Sequence, residues 1–161
     1  MRSTPCPPTD PDDAHAAEAT ALRVLRGAGQ SSLSLQRKLQ RRGYTAEAAA
    51  EAVRRCAAAG YIDDGALAAS VAARHRRTGH GRAWIAADLR ARGIDDVLIG
   101  EAIADETDTE EATAMALAGQ LWTRAATPEG HDPRARMRIA GQLQRRGFSP
   151  STIARVTRAL S

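Results

Sequence analysis

One short pattern occurs three times along the chain and ends each time in a glycine. Two aliphatic residues lie four positions apart, the glycine follows four positions after the second, and an apolar residue follows the glycine. The glycines are Gly43, Gly93 and Gly147, so successive copies are 50 and 54 residues apart. Self-similarity at such a period is typical of repeat proteins, in which each repeat is one small structural unit. The chain is therefore expected to fold as a row of similar modules.

Each copy of the pattern predicts the end of one helix and the start of the next. The two aliphatic residues share a helix face, and the glycine can adopt the left-handed conformation that a helix C-cap requires. The apolar residue after it contacts the helix end, and the next residue is suited to cap a new helix. These last two positions are occupied by Tyr44 and Thr45, by Ile94 and Asp95, and by Phe148 and Ser149.

A further helix-forming segment lies upstream of each of these helix pairs. The sequence therefore predicts an all-α fold of three tandem three-helix repeats, each about 50 residues long. We place the repeats at residues 18–60, 61–107 and 108–161. Residues 1–17 contain four of the seven prolines and are predicted to be a disordered N-terminal arm. Because each repeat is poor in large side chains, neighbouring repeats should stack into an elongated, curved molecule.

The composition argues against a thick β core, an exported protein and a membrane protein. Alanine accounts for 35 residues and aromatic residues for only 3%, and alanine is a strong helix former that buries little area. Cys6 and Cys56 predict neither a disulfide framework nor a metal site. No apolar run reaches the roughly 18 residues that a membrane span needs, and acidic residues stand where a signal peptide would be basic and then apolar. We therefore expect a cytoplasmic protein.

Charge is separated along the chain, although the net charge is only +4. Residues 20–94 sum to +9 and residues 112–161 to +6, whereas residues 95–111 sum to −8. Basic blocks of this density suggest a polyanionic partner. The acidic segment would repel a polyanion, and could meet a basic protein surface or lie over the chain's own arginines. An ordinary solvated helical surface is the alternative interpretation.

The residue types that usually carry catalysis or bind metals form no recognisable site in the sequence. Asp63 and Asp64 are adjacent, so they point in different directions on a helix, and capping of a helix start explains them. The four histidines lack a metal-ligand spacing, and Gly79 lies between His75 and His80, where it breaks any helix that could bring them together. No Walker loop, nucleophile elbow, zinc pattern or dinucleotide fingerprint is present. We expect no enzyme, no metal and no cofactor.

Basic residues around the repeated pattern are the candidate binding site. Arginine forks bind phosphate in a bidentate manner, so basic helix ends repeated along a row could follow a nucleic-acid backbone. The alternative is that they only complement the negative ends of helix dipoles. The candidates are Arg41, Arg42, Arg74, Arg76, Arg77, Arg82, Arg90, Arg92, Arg145 and Arg146. Trp84 and Trp122 are expected to pack against the protein rather than to stack on bases.

Three stretches of the sequence carry a resemblance to a known family. The first runs from Ser31 to Leu39 and on to Arg42-Gly43-Tyr44. The second joins Gly60-Tyr61-Ile62-Asp63-Asp64 to Gly79-His80-Gly81 and to the pattern that ends in Gly93-Ile94, and the third is Leu143-Gln-Arg-Arg-Gly147-Phe148-Ser149. Together they are similar to the RecX family, the small cytoplasmic regulators of the bacterial recombinase RecA. The family fold of tandem three-helix repeats is the one that the pattern predicts.

The resemblance implies a non-enzymatic protein that binds the RecA filament on DNA. It also implies that the protein restrains filament extension, ATP hydrolysis and strand exchange, and so modulates DNA repair and the SOS response. The expected partners are the RecA filament and, weakly, single- or double-stranded DNA, with this protein acting as a monomer. Two alternatives stay open. A stand-alone helical DNA-binding module would bind DNA strongly by itself, whereas a protein-interaction scaffold would not bind DNA.

Overall fold

The structure, a computed structural model, describes residues 7–27, 29–104, 107–127, 130–131 and 134–160. Nearly all of the regular structure in these residues is helical, as predicted. The helices are α1 (Ala14–Leu25), α2 (Ser32–Gln40), α3 (Ala46–Ala58), α4 (Asp64–Arg77), α5 (Arg82–Ala91), α6 (Asp96–Ala104), α7 (Thr107–Arg124), α8 (Ala135–Arg145) and α9 (Pro150–Ala159). An antiparallel pair of two-residue strands, β1 (Ala126–Thr127) and β2 (Gly130–His131), lies between α7 and α8 and was not expected.

The chain divides into two compact units. The first comprises Met1–Leu67 and Ala91–Asp95, and the second comprises Ala68–Arg90 and Asp96–Ser161. In the first unit α1, α2 and α3 pack around Leu35 and Leu39, the aliphatic pair of the first pattern, which are completely buried. Alanines of α1 and α3 are half of the other buried residues in this core. Thr20 Oγ1 and the Tyr44 hydroxyl are hydrogen-bonded at 3.1 Å. The boundaries of the three repeats stay a prediction.

The first helix begins earlier than the sequence analysis placed it. Asp13 caps α1, since its carboxylate accepts hydrogen bonds from the backbone N–H groups of His15 and Ala16 at 2.8 and 3.0 Å. Residues 14–17 form the first turn of α1, so their assignment to a disordered arm was wrong; the N-cap signal of Asp13 outweighs the nearby prolines. Pro11 also accepts a hydrogen bond from the backbone N–H of Thr45 at 3.0 Å. Residues 1–6 lie outside the described part of the chain.

In the second unit α7, α8 and α9 pack around the third copy of the pattern. Ile139, Leu143 and Phe148 are buried there together with Val156 of α9. In α4, α5 and α6 the buried side chains include Val71, Ile85, Leu89 and Ile99. Among the described residues, no helix combines the length and the apolarity needed to cross a membrane.

The repeated glycines are the left-handed caps that the sequence predicts. Their φ angles are +101° at Gly43, +78° at Gly93 and +80° at Gly147. After α8 the backbone N–H of Phe148 donates to Leu143 O at 3.2 Å and that of Gly147 to Gln144 O at 3.0 Å, the hydrogen-bond pair of a Schellman motif. The predicted N-caps follow at once, because Thr45 caps α3 and Ser149 caps α9.

Candidate nucleic-acid interface

The ten candidate arginines lie at helix ends or in adjoining turns, and their exposure divides them into two groups. Five side chains are exposed and five are half-buried. The exposed residues are Arg41, Arg74, Arg77, Arg90 and Arg145, and the half-buried residues are Arg42, Arg76, Arg82, Arg92 and Arg146. An exposed guanidinium can reach a partner without rearrangement of the fold.

Three of the candidates belong to the first unit. Arg41 follows α2 as its C-cap and is exposed, whereas Arg42 borders a cavity of about 820 Å³ that is also lined by Pro7, Pro8 and Tyr44. Arg92 lies in the turn after α5, and its backbone carbonyl accepts a hydrogen bond from Ser31 Oγ. Arg41 is therefore the most accessible of the three.

Asp63 and Asp64, the acidic pair after Gly60, each cap the start of a different helix. The Asp63 carboxylate accepts a hydrogen bond from the backbone N–H of Ala66 at 2.8 Å, which makes Asp63 the N-cap of α4. The Asp64 carboxylate accepts one from the backbone N–H of Ser32 at 2.9 Å, at the start of α2. Both contacts place negative charge at the positive end of a helix dipole, so the capping interpretation is confirmed.

The end of α4 and the start of α5 carry four candidates in the second unit. Arg74 and Arg77 are exposed, and neither has an acidic side chain within 4.0 Å among the described residues. Arg76 instead donates a hydrogen bond from Nη2 to Ala102 O at 2.6 Å, which ties α4 to the end of α6. Arg82 is half-buried at the first position of α5, and its backbone N–H donates to Glu110 Oε1 at 3.2 Å.

Two other candidates are already engaged within the protein. Arg90 Nε lies 2.8 Å from Asp96 Oδ1 in an exposed ion pair. Arg146 Nη1 donates to the backbone carbonyl oxygens of Thr78 at 2.8 Å and Gly79 at 3.3 Å. Arg145, the residue before it, is exposed and has no acidic partner among the described residues.

A cleft in the second unit brings three candidates together. The α7 cleft, as we call it, is lined by the end of α4 and its following turn, by one face of α7, and by Gln142 and Arg146 of the α8 region. Its volume is about 650 Å³, and Arg76, Arg77 and Arg146 contribute to its walls. Arg124, which the sequence analysis missed, is the fourth arginine. The signal that could have found Arg124 is its helical spacing from Ala112, Ala116 and Gln120, which places these side chains on one face.

Several residues of the acidic segment neutralise or cap groups of this same chain. Glu110 is 7% exposed and receives hydrogen bonds from the Arg82 backbone N–H and from Thr152 Oγ1, at 3.2 and 3.3 Å. Glu111 pairs with Arg155 at 2.9 Å. Glu111 and Asp96, which pairs with Arg90, therefore confirm that residues of the acidic segment meet the chain's own arginines. The side chains of Asp105, Glu106 and Asp108 lie outside the described residues.

Histidine and tryptophan rings cluster around the turn at Gly79. We expected Gly79 to separate His75 from His80, but the turn folds back and their ring centroids lie 5.3 Å apart. His75 Nε2 lies 2.7 Å from Asp88 Oδ2, and the His80 ring stacks on Trp84 at 4.9 Å. Burial lowers the pKa of His80, and the electrostatic influence of His75 and Arg146 lowers it further. Among the described residues, no group of three metal-ligating side chains is present.

The two tryptophans differ in exposure. Trp122 is half-buried against the core of α7, α8 and α9, with the Arg136 guanidinium 5.4 Å from its ring centroid. Trp84 covers Gly147 and His80 but stays 45% exposed. The prediction that the rings pack on the protein is confirmed for Trp122, whereas Trp84 leaves nearly half of its surface exposed.

Comparisons with known proteins agree on one family. The family model described as "RecX, second three-helix domain" matches residues 63–103. The regulatory protein RecX of Streptomyces coelicolor is 38% identical over 154 residues, which cover 94% of this chain and 80% of that protein. RecX of Mycobacterium sp. strain JLS is 33% identical, with 92% and 84% covered. The crystal structure of RecX from Lactobacillus salivarius has the same fold, with a TM-score of 0.82 at 22% identity over 92% of this chain and 96% of that one.

Proposed function

The chain belongs to the RecX family, and on that premise we propose that it binds the filament of the recombinase RecA on DNA and restrains it. The restraint acts on filament extension, ATP hydrolysis and strand exchange, and thereby on DNA repair and the SOS response. The protein acts as a monomer through binding alone, catalyses no reaction, and has only weak affinity for bare DNA.

The observation that carries this proposal is a set of exposed arginines without acidic neighbours among the described residues. They are Arg41, Arg74, Arg77 and Arg145. Such groups can pair with DNA phosphates or with carboxylates of the recombinase, and no internal ion pair has to break first. Arg90 and Arg146 contribute less because they already have partners. The half-buried Arg42, Arg76, Arg82 and Arg92 would contact only a closely fitting surface.

The test is ATP hydrolysis by RecA on single-stranded DNA, measured with and without this protein. We expect inhibition at far fewer than one molecule per recombinase protomer, because blocking the growth of a filament affects many subunits at once. The double variant Arg74→Ala, Arg77→Ala should inhibit less. Its control is Arg54→Ala, which removes an exposed arginine that pairs with Glu51 on α3 and is not a candidate.

The same variants decide between the proposal and its alternatives. If the parent protein leaves the ATP hydrolysis unchanged but binds DNA tightly by itself, it is a stand-alone DNA-binding module. In that case the double variant should lower the slope of log affinity against log salt by up to about 0.9 for each phosphate of duplex DNA that an arginine no longer neutralises. If the protein binds no DNA and does not affect the filament, it is a protein-interaction scaffold with another partner.

A further inference from the structure

The α7 cleft combines an aliphatic floor with basic walls. Its floor is one face of α7, where Ala112, Ala116, Leu117 and Leu121 line the cleft together with the polar side chains of Thr113 and Gln120. From Ala112 to Arg124 this face extends about 18 Å along the helix axis. Ala112 and Ala116 are exposed, so a partner backbone can approach the floor closely.

Positively charged side chains border the floor of the cleft. Arg77 and Arg124 are exposed, and neither has an acidic side chain within 4.0 Å among the described residues. Arg76 and Arg146 add two further positive charges, although their guanidinium groups also bind backbone carbonyls. Among the described residues that line the cleft, none is acidic and none is aromatic. The cleft therefore attracts negative charge but offers no ring on which a base could stack.

We propose that the α7 cleft binds an acidic amphipathic helix of a protein partner. Its aliphatic stripe would lie on the α7 floor, as in helix-in-groove recognition, and its flanking carboxylates would pair with Arg77 and Arg124. A nucleic-acid strand fits less well, because its phosphates could pair with the arginines but its bases would meet a mainly aliphatic face without an aromatic ring to stack on. The inference rests on the proposed function, because we expect the partner helix to belong to the RecA filament.

One substitution separates the two kinds of occupant. Ala116→Arg places a long side chain over the floor and adds a positive charge. A helix would then be excluded, whereas a phosphate backbone would be attracted by the additional charge. Because Ala116 is exposed on a helix and arginine is a good helix former, the variant should fold. The matched control is Ala57→Arg, which adds the same side chain at an exposed position of α3.

The experiment measures the binding of labelled protein to RecA filaments on oligo(dT) with a non-hydrolysable ATP analogue, and separately to oligo(dT) alone. Ala116→Arg should lose about tenfold or more of its filament affinity relative to Ala57→Arg. Its affinity for oligo(dT) alone should match that of the control. Arg124→Ala should also weaken filament binding, whereas Arg54→Ala should not, and this difference should shrink at high salt.

Three results would overturn the inference. Tighter binding of Ala116→Arg than of Ala57→Arg to oligo(dT), with no loss on the filament, would assign the cleft to nucleic acid. Equal binding of the two variants in both assays would show that the cleft is not used. If the parent protein itself does not bind the filament, the proposed function fails, and the partner of this cleft is not on the recombinase.

Discussion

The Arg146 guanidinium donates a hydrogen bond to the backbone carbonyl of Thr78 at 2.8 Å, across 68 positions of sequence. It also donates a hydrogen bond to Gly79 O at 3.3 Å. The Arg146 side chain, just after α8, is therefore hydrogen-bonded to two carbonyl groups of the turn between α4 and α5. Arg146→Ala leaves both carbonyls without their charged donor. Because the bond to Gly79 O is partly buried and the bond to Thr78 O is exposed, we expect the free energy of unfolding to fall by about 1 kcal/mol, measured by urea denaturation.

The neighbouring residue supplies the control for this prediction. Arg145 is exposed and is one position away in the same helix end. Arg145→Ala should change the free energy of unfolding by no more than about 0.5 kcal/mol. Equal losses in the two variants would mean that the bonds to the turn contribute nothing beyond a general effect of charge.

A second pair of neighbours tests the buried carboxylate of Glu110. Glu110→Ala removes the acceptor of the Arg82 backbone N–H and of the Thr152 hydroxyl. The free energy of unfolding should fall by about 1–2 kcal/mol, because the partly buried Arg82 N–H loses its acceptor and the buried Thr152 hydroxyl keeps only its hydrogen bond with Ser149 Oγ, at 2.8 Å. Glu111→Ala breaks only a partly exposed ion pair with Arg155 and should cost about 0–1 kcal/mol. A ranking in the opposite order in thermal or urea unfolding would contradict this account of Glu110.

The features that the sequence predicts well are those that depend on a few neighbouring residues. The caps at Gly43 and Gly147, and the helix starts at Thr45 and Ser149, follow from backbone preferences within about six residues. The start of α1 also has a local signal in the Asp13 cap, but the prolines of residues 1–17 favour a disordered arm and conceal it.

The partners of the candidate arginines could not be predicted in the same way. Arg146 contacts a turn 67 and 68 positions earlier, and Glu110 contacts a residue 42 positions later. Such pairs are fixed by the packing of helices, which a local pattern does not reveal. The helical spacing of Arg124 places it on one face with Ala112 and Ala116, but the sequence does not show that this face and Arg77 line the same cleft.

A third prediction concerns the left-handed glycines. A Cβ on Gly93 would lie 3.0 Å from Leu33 Cβ, whereas a Cβ on Gly60 would meet nothing within 4 Å. Both residues have positive φ, +78° and +75°. Gly60→Ala should therefore cost only the conformational strain of about 1 kcal/mol. Gly93→Ala should cost more, because the backbone or Leu33 must also move. Equal unfolding midpoints of Gly60→Ala and Gly93→Ala in urea would show that Leu33 moves aside without a measurable loss of stability.

The last prediction concerns the dependence of stability on pH near His80. Burial lowers the pKa of His80 below its ordinary value of 6.5, nearby His75 and Arg146 lower it further, and a hydrogen bond to the His75 backbone acts in the opposite direction. The unfolded chain therefore binds a proton at a higher pH than the folded protein does. As the pH falls through about 6.5, proton binding favours the unfolded chain, and the free energy of unfolding should decrease until the lowered pKa is passed.

The measurement is urea denaturation of the parent protein and of His80→Gln at intervals between pH 7.5 and pH 5. His80→Gln loses the stacking on Trp84, so its stability at pH 7.5 should be lower. Its stability should nevertheless decline less steeply toward pH 5, because the group whose protonation favours unfolding is gone. A parent-like slope in His80→Gln would show that the ring at the Gly79 turn binds its proton equally well in both states.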